Sequence, residues 1–280
     1  MKLSPRYDGP PILSFDGPAG DQFEPVARQR RRMEGLLADL GDDEWQSATR
    51  CEGWTVQDVV SHIVTVNSFW AASVRAGLEG APTRLLATFD PVAHPPLMVD
   101  GMRALPPREV FDQFVASNDE FLGVLVGLDA DGWSMLAESP PGHVSVRALA
   151  HHALWDAWVH ERDIALPCGL APPVEPDEVR SCLRYAAALG PALALTGESP
   201  FVGELAVAAR SPDATFTVEI GESVVVRDEP SPAGVACLCG DAVDLVEGLS
   251  VRAPLPIDTP AEWNRVFNGL ATVFDATPAD

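Results

Sequence analysis

The sequence predicts an α+β fold in which a bundle of long helices precedes a small α/β unit. Up to about residue 195, four long segments repeat apolar residues at the three- and four-residue spacing of one helical face. From Phe201 onward the pattern changes to a period of two and to β-branched residues, which favours strands. We therefore divide the 280 residues into an extended lead-in (1–20), a helical bundle (21–195) and a C-terminal α/β domain (200–280).

The first two helices follow a lead-in that is rich in Pro, Gly and Asp. The first helix is predicted from Gln22 to Leu40, with most of its arginines facing solvent. Those arginines are Arg28, Arg30, Arg31 and Arg32. The second helix is predicted to run to about Leu78, with Thr55 as its N-cap and Asp58 three residues later in capping-box spacing.

Prolines separate the next helices. The six prolines between Gly80 and Pro107 predict a long surface loop over a site, because proline interrupts regular elements. A third helix is predicted from Pro107 to Gly127, since proline is tolerated in a first helical turn. Ser145 can cap a fourth helix that runs to about Leu166, and a fifth follows at Asp177–Leu189. Four helices of this length joined by loops predict an antiparallel four-helix bundle.

The C-terminal domain is predicted to contain antiparallel strands and two helices. The strands are Glu204–Ala208, Thr215–Ile220, Ser223–Arg227 and Gly234–Cys239. Gly221 and Glu222 provide a hairpin turn between the second and third of them. The helices are predicted near Asp241–Leu249 and Ala261–Phe274.

The charge of the chain excludes several classes of partner. The formal net charge is −22, and apart from the arginines of the first helix no basic run could neutralise several phosphates. We therefore expect neither nucleic acid nor an anionic membrane as a partner, and no transcription regulator. No apolar stretch has the length of a membrane helix, and the N-terminal segment lacks the apolar core of a signal peptide. A cytoplasmic protein is expected.

The cysteines do not follow a zinc-knuckle pattern. There are five, with a single Cys-x-Cys and no paired Cys-x-x-Cys. They are Cys51, Cys168, Cys182, Cys237 and Cys239. We expect them to be reduced and mostly buried.

Histidines and one aspartate suggest a metal site. His152, Asp156 and His160 step by four along the fourth helix, a drift of only about 40° per step, so they share one helical face. His62 lies on an apolar face of the second helix and is expected to point inward. Two imidazoles and a carboxylate suit zinc, nickel or ferrous iron. The spacing alone also allows a simple i,i+4 pair of Asp156 with His160, and a core role for His62.

Two segments carry a family resemblance. Cys51–His62 contains Gly-Trp-Thr-Val-Gln-Asp-Val-Val-Ser-His, and Asp156–Asp163 reads Asp-Ala-Trp-Val-His-Glu-Arg-Asp. They resemble the Gly-Trp-Thr-Val-x-Asp-Val-x-x-His and Glu-x-Trp-x-His-x-x-Asp signatures of the mycothiol-dependent maleylpyruvate isomerase family, within the DinB-like superfamily. The regions Cys239–Leu245 and Arg252–Pro254 are similar to the smaller C-terminal domain of that family.

The resemblance implies a DinB-like bundle and a divalent metal held by His62, Asp156 and His160. Zinc is the first candidate, with nickel or iron as alternatives. It also implies a small-molecule substrate and, as cosubstrate, mycothiol, the low-molecular-weight thiol of actinobacteria. A bound metal lowers the pKa of a thiol or water, and a thiolate can add to an activated double bond and allow isomerisation or transfer.

One position departs from the family pattern. Asp156 stands where the family usually has glutamate, and its carboxylate reaches about 1.5 Å less far because it lacks one methylene. Two alternatives therefore stay open. The first is a metal enzyme without mycothiol, such as a hydrolase that uses metal-bound water. The second is a non-catalytic bundle protein in which Asp156 pairs with an arginine or histidine. The oligomeric state is also open.

Overall fold

The long helices of the N-terminal part begin at the caps that the sequence predicts. The computed structural model describes residues 3–18, 20–196, 201–229 and 234–274. The side chain of Thr55 accepts a hydrogen bond from the backbone of Asp58, and the Asp58 carboxylate accepts one from the backbone N–H of Thr55 at 3.1 Å. Ser145 accepts a hydrogen bond from the backbone N–H of Ala148 at 3.2 Å. Both predicted helix starts are confirmed.

The N-terminal helices pack on one another through their apolar faces. Their bounds are α1 Phe23–Ala38, α2 Asp42–Trp45, α3 Val56–Leu78, α4 His94–Asp100, α5 Pro107–Leu125, α6 Ala130–Ser134, α7 Val146–Ala165 and α8 Pro176–Thr196. Helices α1 and α3 each pack against both α5 and α7, and α8 packs against α7. Met33, Ile63 and Phe114, from three different helices, are fully buried in one apolar cluster. Among the described helices, none combines the length and the apolar character that a bilayer span requires.

The proline-rich segment from 80 to 107 contains regular structure that we did not predict. A 3₁₀ turn covers Leu85–Thr88, and α4 accommodates Pro95 and Pro96 in its first turn. A proline there loses no helical hydrogen bond, since the first N–H groups of a helix have no partner within it. The buried carboxylate of Glu138 fixes the segment by accepting hydrogen bonds from two backbone N–H groups of the 3₁₀ turn, at 2.7 and 2.8 Å. The prediction of one long irregular loop was wrong.

A mixed sheet forms the C-terminal part. Its strands are β1 Leu13–Phe15, β4 Gly203–Arg210, β5 Ala214–Ile220, β6 Val224–Arg227 and β7 Ala236–Asp241, in the order β1-β6-β5-β4-β7. Ile220 lies opposite Val224, which confirms the predicted hairpin at Gly221–Glu222. Strand β7, however, runs parallel to β4, with Leu205 opposite Ala236. An alternating pattern reveals a strand but not its direction of pairing, so the antiparallel prediction was wrong for β7.

The extended lead-in supplies a strand to this sheet. Leu13 pairs with Val224 and Phe15 with Val226 in parallel register. Three residues are too few for an apolar period to be visible in the sequence. A separate short hairpin, β2 Leu136–Ser139 and β3 Gly142–Ser145, precedes α7 and was also not predicted.

Helix α8 connects the helical part to the sheet. It packs against α7 on one side and against β5, β6 and three C-terminal helices on the other. These helices are α9 Ala242–Leu249, α10 Ala261–Phe267 and α11 Gly269–Phe274. The predicted last helix is therefore two shorter ones. We placed the domain boundary between residues 195 and 200. Residues 197–200 lie outside the described residues, so its position stays a prediction.

The arginine cluster of α1 is not a purely solvated surface. Arg30 is fully buried and donates hydrogen bonds to Asn67 Oδ1 at 3.0 Å and to a backbone carbonyl of α7 at 3.1 Å. Arg32 forms ion pairs with the buried carboxylates of Glu161 and Glu178 at 2.7 and 2.8 Å. The solvent-facing prediction was wrong for these two residues, because their partners come from other helices.

Candidate metal centre

Three potential metal ligands converge between α3 and α7. His62, Asp156 and His160 each offer one ligand atom, and these atoms all lie within 4.8 Å of one another. His160 Nε2 is 3.7 Å from Asp156 Oδ1, and the His62 and His160 rings meet edge-on with centroids 5.1 Å apart. In a tetrahedral zinc site with bonds near 2.1 Å, ligand atoms lie about 3.4 Å apart. The three side chains therefore fit a single divalent ion.

Helix packing explains why these residues meet. The i,i+4 spacing places Asp156 and His160 on one face of α7, and α3 packs against α7 so that His62 lies opposite them. The side chains of Asp156 and His160 are 15% and 12% exposed, so solvent reaches part of the site. The shorter carboxylate of Asp156 still lies beside both imidazoles.

Two of the three ligands are already in the protonation state that a metal needs. Burial lowers the pKa of His62 to about 4, so its imidazole is neutral at pH 7 and has a free lone pair. Burial alone would raise the pKa of Asp156, but His160, His62 and more distant positive groups hold it below its ordinary value. Asp156 is therefore a carboxylate at neutral pH.

His160 divides its two ring nitrogens between two carboxylates. Nε2 faces Asp156, whereas Nδ1 lies 3.0 Å from Asp163 Oδ2. Burial opposes a charge on this ring, but the hydrogen bond to Asp163, contact with Cys51 and the charge of Asp156 raise the pKa of His160 to about 10. Without a metal, His160 is thus an imidazolium, and a metal ion must displace the proton on Nε2.

Asp163 is the centre of a buried network that supports His160. It is fully buried and accepts hydrogen bonds from Arg252 Nε at 2.9 Å and Nη2 at 2.8 Å, and from Arg50 Nε at 3.0 Å. The thiol of Cys51 donates to the same carboxylate at 3.2 Å. A carboxylate behind a ligand histidine fixes the tautomer and orientation of the ring.

A second set of possible ligands overlaps with the first. Cys51, His160 and Asp163 also offer atoms within 4.8 Å of one another. Asp163, however, already accepts hydrogen bonds from two guanidinium groups, and His160 reaches this set only through Nδ1. We therefore assign this second set to the support of His160 and not to a separate metal.

The C-terminal part contributes charged groups to the site. Glu247 of α9 accepts hydrogen bonds from Arg50 at 2.7 Å and Arg162 at 2.8 Å, and Arg252 follows the same helix. Three guanidinium groups thus face two carboxylates, Asp163 and Glu247, so this network by itself carries one more positive than negative charge. In a chain whose net charge is −22, this network is a local concentration of positive charge.

The remaining histidines have other partners. His152 Nδ1 lies 2.5 Å from the Tyr185 hydroxyl, and its ring meets Trp70 edge-on with centroids 4.7 Å apart. Burial lowers the pKa of His152 to about 4, so it is neutral, and no group of three potential ligands among the described residues includes it. His151 and His143 bond to a serine hydroxyl and a backbone carbonyl, both at 2.8 Å.

Sequence reasoning gave no role to Asp163, Arg252 or Glu247. The i,i+3 spacing of His160 and Asp163 could have indicated Asp163, because such residues share a helical face. Arg252 stood in a segment that resembles the family's C-terminal domain, but neither that resemblance nor the local pattern indicated its contact with Asp163. It follows Val251, which has a left-handed backbone with φ of 59°, a strained state for a β-branched residue that directs the chain back toward α7.

One family model and two solved structures resemble this chain. The family model described as the mycothiol maleylpyruvate isomerase N-terminal domain matches residues 26–165, which include all three candidate ligands. No curated protein matches the chain in sequence. A crystal structure of the mycothiol-dependent maleylpyruvate isomerase matches with a TM-score of 0.59 at 15% identity, over 85% of this chain and 91% of that one.

A crystal structure of a histidine-to-alanine mutant of the mycothiol-dependent maleylpyruvate isomerase matches similarly. Its TM-score is 0.61 at 14% identity, again over 85% of this chain and 91% of that one. At such low identity these matches establish a shared fold, whereas the family model matches half of the chain in sequence. The chain therefore belongs to the family of the mycothiol maleylpyruvate isomerase N-terminal domain.

Proposed function

We propose that this protein is a metal-dependent, mycothiol-linked isomerase or thiol transferase that acts on a small organic anion. His62, Asp156 and His160 hold the metal, with zinc as the first candidate. The observation that carries the proposal is the convergence of these three side chains within the segment that the family model matches. The fold in this proposal is a DinB-like antiparallel four-helix bundle of α1, α3, α5 and α7, followed by a C-terminal α/β domain. The protein acts in the cytoplasm.

The similar proteins support mycothiol as the cosubstrate. Two solved structures that match are described as a mycothiol-dependent maleylpyruvate isomerase, and the family model carries the same enzyme's name. A bound divalent metal supplies Lewis acidity, which stabilises a thiolate at neutral pH. The net positive charge of the network around Asp163 and Glu247 supports a carboxylate-bearing substrate, since guanidinium groups bind carboxylates well.

The residues of the chain have separate tasks in this proposal. Asp163 holds Nδ1 of His160, so that Nε2 faces the metal position. His62 supplies a neutral imidazole, because burial keeps its pKa near 4. Arg252, which is 26% exposed beside Asp163, is close enough to the site to attract an anionic substrate. Its Nη2 lies 3.7 Å from Cys51 Sγ, which is 3.8 Å from His160 Nδ1.

Metal analysis of purified protein tests the ligand assignment. We expect about one zinc ion per chain in the wild type, and at least a tenfold loss in His62→Ala and in His160→Ala. His94→Ala is the matched control, because His94 lies in α4 and bonds to the backbone N–H of Asp90. Unchanged metal content in both ligand variants would show that the assignment is wrong.

Activity separates the proposed function from its alternatives. With maleylpyruvate as substrate, we expect turnover that requires both metal and mycothiol, and its loss in both ligand variants. Turnover of a small ester or amide with metal but without mycothiol would indicate a metal-dependent hydrolase. Absence of metal and of any effect of chelator on the unfolding temperature would indicate a non-catalytic bundle protein.

Substitutions at Asp156 test whether the aspartate has replaced the family's glutamate as a ligand. We expect Asp156→Asn to weaken zinc binding roughly 100-fold, because the neutral amide loses the charge that a divalent ion requires. Asp156→Glu keeps the charge and is expected to stay within about tenfold of the wild type. Competition with a chromogenic chelator gives both affinities. Equal affinities in the wild type and Asp156→Asn would contradict the assignment.

A further inference from the structure

Strand β7 carries two exposed cysteines that the proposed function does not use. Cys237 and Cys239 are free and exposed, whereas Leu238 between them is buried. Alternate residues of a strand point to opposite faces of a sheet, so both thiols lie on the outer face. Their Sγ atoms are 2.6 Å apart. Our expectation of mostly buried cysteines was wrong for this pair, and among the five only Cys182 is buried.

The surroundings of the pair leave it open to a small reactant. In the parallel register with β4, Cys237 lies opposite Ala206 and Cys239 opposite Ala208. Paired residues project to the same face, so the β4 side chains directly opposite the two cysteines are only methyl groups. Strand β7 is also the last strand in the described sheet order. A reactant that approaches the sulfur atoms over Ala206 and Ala208 of β4 therefore displaces no large side chain.

The geometry favours a disulfide and not a metal. Two residues along a strand span about 6.6 Å between Cα atoms, which is at the upper end of the range that disulfides accept. A metal held by this pair would need further ligands. Among the described residues, no third histidine, cysteine or carboxylate converges on these two sulfur atoms.

We propose that Cys237 and Cys239 form a thiol–disulfide exchange site on the outer face of the sheet, which takes small disulfides of low-molecular-weight thiols as its oxidising substrate. The site is separate from the metal centre and does not rest on the proposed function.

The exchange proceeds in two balanced steps. In the first, the Cys239 thiolate attacks one sulfur of the small disulfide, forms a mixed disulfide and releases one small thiolate, which takes up a proton. In the second, Cys237 loses its proton and its thiolate attacks Cys239 Sγ, which closes the protein disulfide; the second small thiolate leaves and takes up that proton. Two electrons and two protons pass from the protein to the small disulfide, giving one protein disulfide and two small thiols.

The order of attack follows from the protonation of the pair. Burial, the hydrogen bond and charge of Cys239, and the charge of Asp258 raise the pKa of Cys237 to about 11. Cys237 therefore keeps its proton at neutral pH, and we assign the first attack to Cys239. Once Cys239 is in the mixed disulfide, its thiolate charge no longer raises the pKa of Cys237. Cys237 then loses its proton more readily, which favours the second step.

Mass spectrometry of one peptide tests the proposal. Trypsin cleaves after Arg227 and Arg252 and releases a peptide, residues 228–252, that contains both cysteines and no other. The reduced protein is treated with bis(2-hydroxyethyl) disulfide, quenched with acid and digested. In the wild type we expect this peptide to lose two hydrogens, with less than a tenth of it carrying a mercaptoethanol adduct.

Single substitutions show whether the two cysteines act together. In Cys237→Ser we expect the adduct to accumulate on Cys239, at least tenfold above the wild type, because the resolving thiol is missing. Cys239→Ser is expected to react more slowly, and Cys168→Ser, which alters a cysteine outside this strand, to behave like the wild type. A wild-type peptide that stays fully reduced, or that carries an adduct on each cysteine without closing a disulfide, would overturn the proposal.

Discussion

Replacement of Asp163 by asparagine is expected to lower the free energy of unfolding by about 3–5 kcal/mol at pH 7, the usual cost of removing one partner from a buried ion pair. Asp163 is fully buried and is bonded to Arg50, Arg252 and His160, and asparagine cannot balance their charges. Urea denaturation followed by tryptophan fluorescence measures the change. Asp177→Asn is the matched control: its pair with Arg28 is exposed, so we expect a cost below about 1 kcal/mol.

The cost of Asp163→Asn is expected to depend on pH. Burial would raise the pKa of Asp163, but His160 and Arg252 hold it far below its ordinary value. A carboxyl group with a lowered folded-state pKa contributes stability above its unfolded pKa, near 3.9, and loses that contribution as the pH falls below it. The difference between wild type and variant should therefore shrink by about 1 kcal/mol between pH 7 and pH 3. A cost that stays constant over this range would contradict the ion-pair role of Asp163.

The second large effect concerns metal affinity, which we expect to rise about tenfold per pH unit between pH 6 and pH 8. The pKa of His160 is about 10, so a metal must displace one proton from this ring throughout that range. His62, with a pKa near 4, and Asp156, whose pKa is lowered, have no proton to lose there. Calorimetric titration with zinc, in two buffers that differ in ionisation enthalpy, counts the protons released; we expect about one per ion.

Asp163→Asn also serves as the control for this proton release. The hydrogen bond between His160 and the Asp163 carboxylate is the main interaction that raises the pKa of His160. In the variant this pKa should therefore fall, and zinc binding should release fewer protons. The affinity of the variant should fall about 10- to 100-fold, the usual effect of losing a carboxylate behind a ligand histidine. Zinc binding to the wild type that is independent of pH between 6 and 8 would show that His160 is already neutral.

The same histidine predicts how the metal-free protein responds to alkali. A group whose pKa is raised by folding contributes stability below its unfolded pKa, near 6.5 for histidine, and loses it as the pH rises toward the folded value of about 10. Between pH 7 and pH 10, the metal-free wild type should therefore lose more stability than metal-free His160→Ala. The comparison between the two proteins removes the contribution of other groups.

Much of the helical part could be predicted from local patterns. The caps at Thr55 and Ser145 and the apolar face of α3 depend on residues within one or two turns of each other, so the sequence displays them directly. The hairpin at Gly221–Glu222 is local in the same sense. The short helix α4 was missed because its prolines were interpreted as breakers and not as first-turn residues.

By itself, the sequence determined the α+β class, the long helices and the i,i+4 spacing of Asp156 and His160, because each depends on neighbouring residues. The apolar face around His62 made this histidine a candidate, and the resemblance joined it to the pair and added the family. Only the tertiary structure decided that these three side chains meet, that Asp163 lies between Arg50 and Arg252, and that Cys237 and Cys239 are exposed together. The physical reason is distance along the chain: Asp163 is 89 residues from Arg252 and 113 from Arg50. Only the packing of α7 against both the segment before α3 and the C-terminal part brings these residues together.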